Sequence, residues 1–405
     1  MPLLNRGVAW AVARGVWLSL VLSPCSAVAQ SPRTIPFAFY GNEIWLEARV
    51  ADSRPLHFLL SAGASACGLN RSVADELKLR IRTEVDWAGT GNKPVHVSLL
   101  SRAKIEVGGV SLGQFECYAM ALDDVARDIG GAVDGVIGYE LLHRYIVRID
   151  YDSQRLTLYA PKDFRYTGVG SVLPMKLPKQ VPTVKLRFGM PGLGALEGTF
   201  LVDTGGGSMA FATPFIRKHG LLDAARALTP RLIPGTEEGI GGSVDGEVGR
   251  LEWVEIAGHR LKLPLAAYMH ADGGVFAWTS IAGTVGGELL RRFSVTLDYP
   301  HGRIILEPGR QLEDAFESDA SGMDLTSYGP TYRQFIVKRV VDDTPAAEVG
   351  IRGADQILEF DGQRAEALTL WDLRRALEKA EVDHVIKLQR GQTEITVKLR
   401  TRKLI

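Results

Sequence analysis

An all-β protein of two related lobes, followed by a small α+β unit, is the fold this sequence predicts. Three observations carry that expectation. A unit of roughly 140 residues occurs twice. Forty-four glycines in 405 residues, with period-two apolar stretches and no long heptad run, suit turn-rich sheet better than helix. Beyond residue 312 the repeat stops and a different pattern begins.

The first thirty residues are read as a leader rather than fold. Arg6 and Arg14 give a positive start, Gly15 to Leu22 is a short apolar stretch, and Ala27-Val28-Ala29 is a small-residue cleavage pattern before Gln30. Residues 1–29 are therefore expected to be a signal peptide, and the remainder periplasmic or extracellular. An uncleaved anchor is the other reading, but the stretch falls short of the ~20 apolar residues a span needs. No stable membrane span is expected after cleavage. Pro24 before Cys25 suits lipidation poorly. Export leaves Cys67 and Cys117, which either pair in an oxidising compartment or stay as two buried thiols.

The repeat sets the lobes. Gly135 to Pro161 and Gly283 to Pro308 share Gly138 with Gly286, Glu140-Leu141-Leu142 with Glu288-Leu289-Leu290, and Asp150-Tyr151 with Asp298-Tyr299, an offset of 286 − 138 = 148. Upstream, Phe58-Leu59-Leu60-Ser61-Ala62-Gly63-Ala64 aligns with Phe200-Leu201-Val202-Asp203-Thr204-Gly205-Gly206, an offset of 203 − 61 = 142. Each copy starts with an expected strand, Ile44 to Val50 or Thr183 to Phe188, that leads to the glycine turn. A short helix follows, Ser72 to Leu79 or Pro214 to Leu222. Then come a glycine-rich hairpin and strands such as Ala103 to Val107 and Leu251 to Ile256. An apolar-apolar-Gly turn, a Glu-Leu-Leu helix and a closing hairpin end the unit. The lobes are placed at 31–165 and 166–312, a linker at 313–325, and the last unit at 326–405. In that unit Phe335 to Val340, Asp355 to Phe360, His384 to Leu388 and Glu394 to Leu399 read as strands. Thr369 to Ala380 reads as an amphipathic helix opened by a Thr369/Asp372 capping box.

Bulk charge excludes some partners. Forty-seven basic and 47 acidic side chains cancel, and no basic stripe or polybasic run points to nucleic acid or a membrane surface. The eight histidines lack metal-ligand spacing and the glycine-rich loops lack the pattern of a phosphate loop or dinucleotide fingerprint, so neither metal nor cofactor is expected. Gly206 to Ala210 approaches a nucleophile elbow without the strand–elbow–helix setting or partners that motif needs.

Phe200 to Gly206, with the Thr284-Val285-Gly286 turn downstream and Val136-Ile137-Gly138 in the first copy, resembles the retropepsin and pepsin-like aspartic proteases in fused form, over roughly residues 34 to 310. The resemblance implies two pseudo-symmetric acid-protease-like β-barrel lobes, no cofactor, and a peptide or protein substrate. It implies a catalytic role for Asp203 and, at the matching position, Ser61. Gly63, Ala64, Gly205 and Gly206 would line the substrate. In that family two facing carboxylates share one proton, so that one activates water while the other protonates the carbonyl. Here Ser61-Ala62-Gly63 replaces Asp-Thr-Gly in the first copy. A hydroxyl does not replace a carboxylate near neutral pH. Two functions stay open: an exported aspartic-type endopeptidase with an incomplete dyad, or a pseudoprotease that binds or scaffolds peptides. Trp87 to Pro94 and Gly235 to Gly246 are candidate flaps, and Asp134 reads as a turn residue.

The last unit, through Tyr332 to Val340, Thr344 to Ile351, Asp355 to Leu358 and Asp361-Gly362, resembles a bacterial PDZ domain. That resemblance implies a peptide ligand added as a strand, here at Tyr332 to Phe335 and onward along Ile336 and Val337, with Phe335 and Ile336 as binding residues.

Overall fold

A computed structural model describes residues 31–405; the leader reading of residues 1–29 lies outside the described residues. Strand dominates, as the glycine-punctuated period-two pattern predicts. In the first lobe Glu43–Val50 pairs antiparallel with Leu56–Leu60, which lies parallel to Gly135–Ile137. Gly135–Ile137 in turn sits antiparallel to Gly68–Asn70. The second lobe repeats this arrangement. Thr183–Met190 pairs with Gly194–Val202, which runs parallel to Gly283–Val285, and that strand pairs antiparallel with Ala210–Phe211. The apolar-apolar-Gly segment of each copy is thus a short central strand with neighbours on both sides. That suits the unbroken apolar Val136-Ile137 of the first copy, while the second copy carries the partly buried Thr284 before Val285.

The glycine ending each segment is fixed by contact. A Cβ on Gly138 would lie 2.2 Å from the Ser61 carbonyl oxygen, and one on Gly286 would lie 2.1 Å from that of Gly206. Side chains cannot be accommodated against backbone at that range.

The closing hairpins join the lobes. Ile146–Asp150 pairs antiparallel with Phe293–Asp298 at the centre of a six-stranded sheet. Arg148 sits opposite Thr296, and 296 − 148 = 148, the repeat offset. Arg148 therefore faces its own counterpart, and the pseudo-two-fold axis passes through that pair. One apolar core runs through both lobes, while the C-terminal unit has a separate core.

Several local expectations are refined. The expected helix Pro214 to Leu222 is two helices, Thr213–His219 and Leu221–Leu228, because Gly220 adopts a left-handed conformation between them (φ 64°). The first-lobe helix is Arg71–Glu76, capped by Asn70. A helix at Asp123–Ile129 lies where none was expected. Cys67 and Cys117 form a disulfide, with Cα atoms 4.7 Å apart.

The stretch read as linker is tied down. Arg292 is fully buried and donates to the carbonyls of Gln311, Leu312, Asp314 and Ala315, with its guanidinium over the Phe316 ring. Arg250 donates to the Phe316 carbonyl. The C-terminal sheet begins inside that stretch, at Met323–Tyr328, because Met323 and Leu325 are buried. Its strand order is Met323–Tyr328, Gln334–Val340, Gln356–Phe360, Asp383–Arg390, Thr393–Arg400. Helix Leu370–Leu377 buries Leu370, Leu373 and Leu377 against this sheet, with the Thr369–Asp372 capping box in place. Among the described residues no helix is long and apolar enough to cross a membrane.

Candidate functional site

The two glycine turns meet face to face. Ser61 Oγ donates to Asp203 Oδ1 at 2.8 Å. The same oxygen accepts the N–H groups of Gly205 at 2.9 Å and Gly63 at 3.1 Å. The backbone around each residue matches its counterpart. Ser61 N donates to the Ile137 carbonyl and Asp203 N to that of Val285, both at 3.0 Å. Gly63 and Gly205 are glycines because the loops interlock. A Cβ on Gly63 would lie 2.6 Å from Asp203 Oδ2, and one on Gly205 would lie 2.6 Å from Ser61 Cβ.

Beneath the carboxylate the interlock is one-sided. Buried Thr204 Oγ1 donates to the Leu60 carbonyl at 2.7 Å and accepts from Ala62 N at 3.0 Å. Ala62 has no hydroxyl to return the contact. Its carbonyl instead accepts from the Tyr299 hydroxyl at 3.2 Å. The dyad position thus holds one carboxylate and one hydroxyl, and the hydroxyl's proton is committed to that carboxylate. Asp203 Oδ2 takes no hydrogen bond among the described residues and is the oxygen left for a water or a peptide group.

A cavity of about 370 Å³ lies over this pair, lined by Ser61, Gly63, Ala64, Gly205 and Gly206 together with apolar groups such as Trp87 and Trp278. Two hairpins roof it, Ile81–Ala88 with Pro94–Leu100 and Ile233–Gly239 with Gly242–Arg250. Their tips touch. Gly91 N donates to the Ile240 carbonyl at 3.0 Å and Lys93 N to that of Gly241 at 3.1 Å. Both flap candidates are therefore brought together, and glycine at 89 and 91 is required because a Cβ there would meet residues 240 and 241 at 1.9 and 2.2 Å.

Asp134 stays out of the cleft. It receives Arg54 through both oxygens at 3.1 and 3.3 Å and His57 N at 2.8 Å, a turn-fixing role. The cleft also contains carboxylates that motif reading missed. Glu237 on the second flap is half-buried, and its carboxyl is pushed up to about 7 by desolvation, then by Asp128 and Asp203. Glu43 is held well above the carboxylate range by burial, then by Asp203, Glu237 and Asp128. Neither belongs to a motif. The signal available was only that Glu43 opens the apolar strand before Ser61, and that Glu237-Glu238 sits in a glycine-rich hairpin.

Phe335 and Ile336 are not at an open edge. Their strand is hydrogen-bonded on both sides, to Met323–Tyr328 and to Gln356–Phe360, and Phe335 is fully buried in the core of its unit. The sheet edge beside helix Leu370–Leu377 is Met323–Tyr328, which pairs on one side only, with Gln334–Val340. Helix Asp123–Ile129 of the first lobe packs into this place. Ser327 and Thr326 hydroxyls donate to the Arg127 carbonyl at 2.8 and 3.3 Å, and Arg374 pairs with Asp128 at 3.5 Å.

Comparison with known families agrees with this architecture. Residues 46–141 match the aspartyl protease family, a segment that includes both Ser61 and the Val136-Ile137-Gly138 turn. Residues 316–401 match the PDZ domain. The chain thus carries an aspartyl protease domain and a C-terminal PDZ domain. No curated protein matches the chain.

Proposed function

We propose that the cleft holds an extended peptide or unfolded protein segment, and that the chain works as a peptide-binding pseudoprotease. One observation carries this reading. Ser61 Oγ donates to Asp203 Oδ1 where the chemistry needs a second carboxyl group to protonate the peptide carbonyl. Losing one acid–base partner costs on the order of 10²–10⁴ in rate, and groups that act as a unit lose more than their separate shares. The paired flaps and the apolar cavity support peptide binding without requiring turnover.

A second reading, a slow aspartic endopeptidase, is favoured by a different observation. Asp203 keeps its seat between the Gly63 and Gly205 N–H groups, with Oδ2 left to activate a water. The Cys67–Cys117 disulfide supports export to an oxidising compartment, periplasmic or extracellular.

The test follows complex formation and cleavage together, by incubating the full chain with unfolded polypeptides from pH 3 to 8. Binding without cleavage is expected, and Asp203→Asn should retain binding. Robust cleavage lost in Asp203→Asn would establish the second reading, and absence of any binding would overturn both.

A further inference from the structure

One flank of the cleft is lined with carboxylates. A cavity of about 280 Å³ opens beside Gly205 and Gly206, which also line the cavity over Asp203. Glu43, Asp128, Glu237 and Glu238 all reach it. Two of the four are already met by cations of the PDZ domain. Arg374 Nη2 lies 3.5 Å from Asp128 Oδ1, and Lys338 pairs with Glu238. The other two have no such partner. Among the described residues neither Glu43 nor Glu237 forms an ion pair. Glu43 is 5 % exposed, and its Oε2 accepts no hydrogen bond.

A carboxyl group buried without a donor or a cation is unfavourable. Burial and the neighbouring carboxylates hold both groups toward the protonated form, and a cation placed between them would relieve that. No cluster of three or more His, Cys, Asp or Glu among the described residues is arranged for a metal ion. The cations that this flank already accepts are arginine and lysine side chains.

We propose that Glu43 and Glu237 form a subsite for a lysine or arginine side chain of a peptide lying across Asp203. This rests on the peptide-binding reading above and names its substrate class. The subsite also couples binding to closure. Glu43 belongs to the body of the first lobe and Glu237 to the second flap. A cation held between them ties the flap to the body over the bound chain.

The test is fluorescence anisotropy of the full chain with three labelled extended decapeptides at pH 7. They differ at one central position, which is lysine, norleucine or glutamate. Norleucine keeps much of the lysine stem without its charge. The lysine peptide is expected to bind at least about tenfold more tightly than the norleucine peptide, with the glutamate peptide weakest. The preference should shrink at high salt. In Glu43→Gln/Glu237→Gln the lysine-to-norleucine ratio should fall to near one. Equal affinity of the lysine and norleucine peptides for the unaltered chain overturns the subsite and leaves the peptide-binding reading standing. Absence of binding by all three overturns both. The unaltered-chain comparison needs no variant, so a poorly folding double variant does not blunt it, and either single Glu→Gln variant can replace it. An unchanged ratio in a folded variant contradicts the assignment to these two residues.

Discussion

Thr204 shows how much of the site's architecture outlives the lost dyad. Its hydroxyl crosses between lobes, donating to Leu60 and accepting from Ala62. Thr204→Val removes that hydroxyl at nearly constant volume and leaves the Leu60 carbonyl and Ala62 N–H buried without a partner. Unsatisfied buried groups cost about 1–3 kcal/mol each. Some relaxation will reduce the sum, so we expect a loss of roughly 2–4 kcal/mol in urea unfolding. A loss below about 0.5 kcal/mol would mean that the interlock carries no stability. At this scale the sequence was highly legible wherever an atom's neighbours are set by the repeat. Asp203, Ser61, Gly63 and Gly205 lie where the internal alignment puts them. Glu43 and Glu237 were not legible, because their chemistry comes from burial and from one another, and neither appears in local spacing.

The flap hairpins are the elements on which pH should act. Glu237 has its folded-state value raised to about 7 by desolvation and by Asp128 and Asp203. A raised carboxyl binds more protons folded than unfolded, so its contribution to stability falls as pH rises from the unfolded value toward about 7. Glu237→Gln removes that dependence. The variant should match the unaltered chain at pH 4 and exceed it by roughly 2 kcal/mol at pH 8, by urea unfolding at both pH values. Equal stability at pH 8 would contradict the burial of this carboxyl. The disulfide acts at the same scale. It closes a span of 50 residues from Cys67 to Cys117, so Cys67→Ser/Cys117→Ser should lower stability by about 2–4 kcal/mol. Strands and turns at this scale followed from alternation and glycine. Helix Asp123–Ile129 did not, because its significance lies in the PDZ domain it supports rather than in its own pattern.

At the scale of the whole molecule the PDZ domain belongs to the cleft. Its edge strand Met323–Tyr328 is occupied by helix Asp123–Ile129, and its Lys338 and Arg374 sit on the acidic flank. The sequence identified the domain but placed its ligand strand at Phe335 and Ile336. Motif spacing does not reveal which strand of a sheet is left at the edge; the pairing of the whole sheet decides it. Because the groove is filled from within the chain, carboxy-terminal peptides should bind the full chain weakly. Thr326→Ala/Ser327→Ala removes two contacts to the Arg127 carbonyl. It should tighten such binding by about tenfold, while amides of residues 123–129 exchange faster. Strong binding by the unaltered chain would contradict an occupied groove.

On the pseudoprotease reading proposed above, Ser61 and Ala62 together separate an otherwise assembled cleft from efficient catalysis. The most direct measurement compares cleavage of an unfolded polypeptide, from pH 3 to 8, by the unaltered chain and by Ser61→Asp/Ala62→Thr. The folded revertant should cleave at least about 10²-fold faster, and Asp203→Asn should abolish the gain. A folded revertant as inert as the unaltered chain, or an unaltered chain as fast as the revertant, would contradict it.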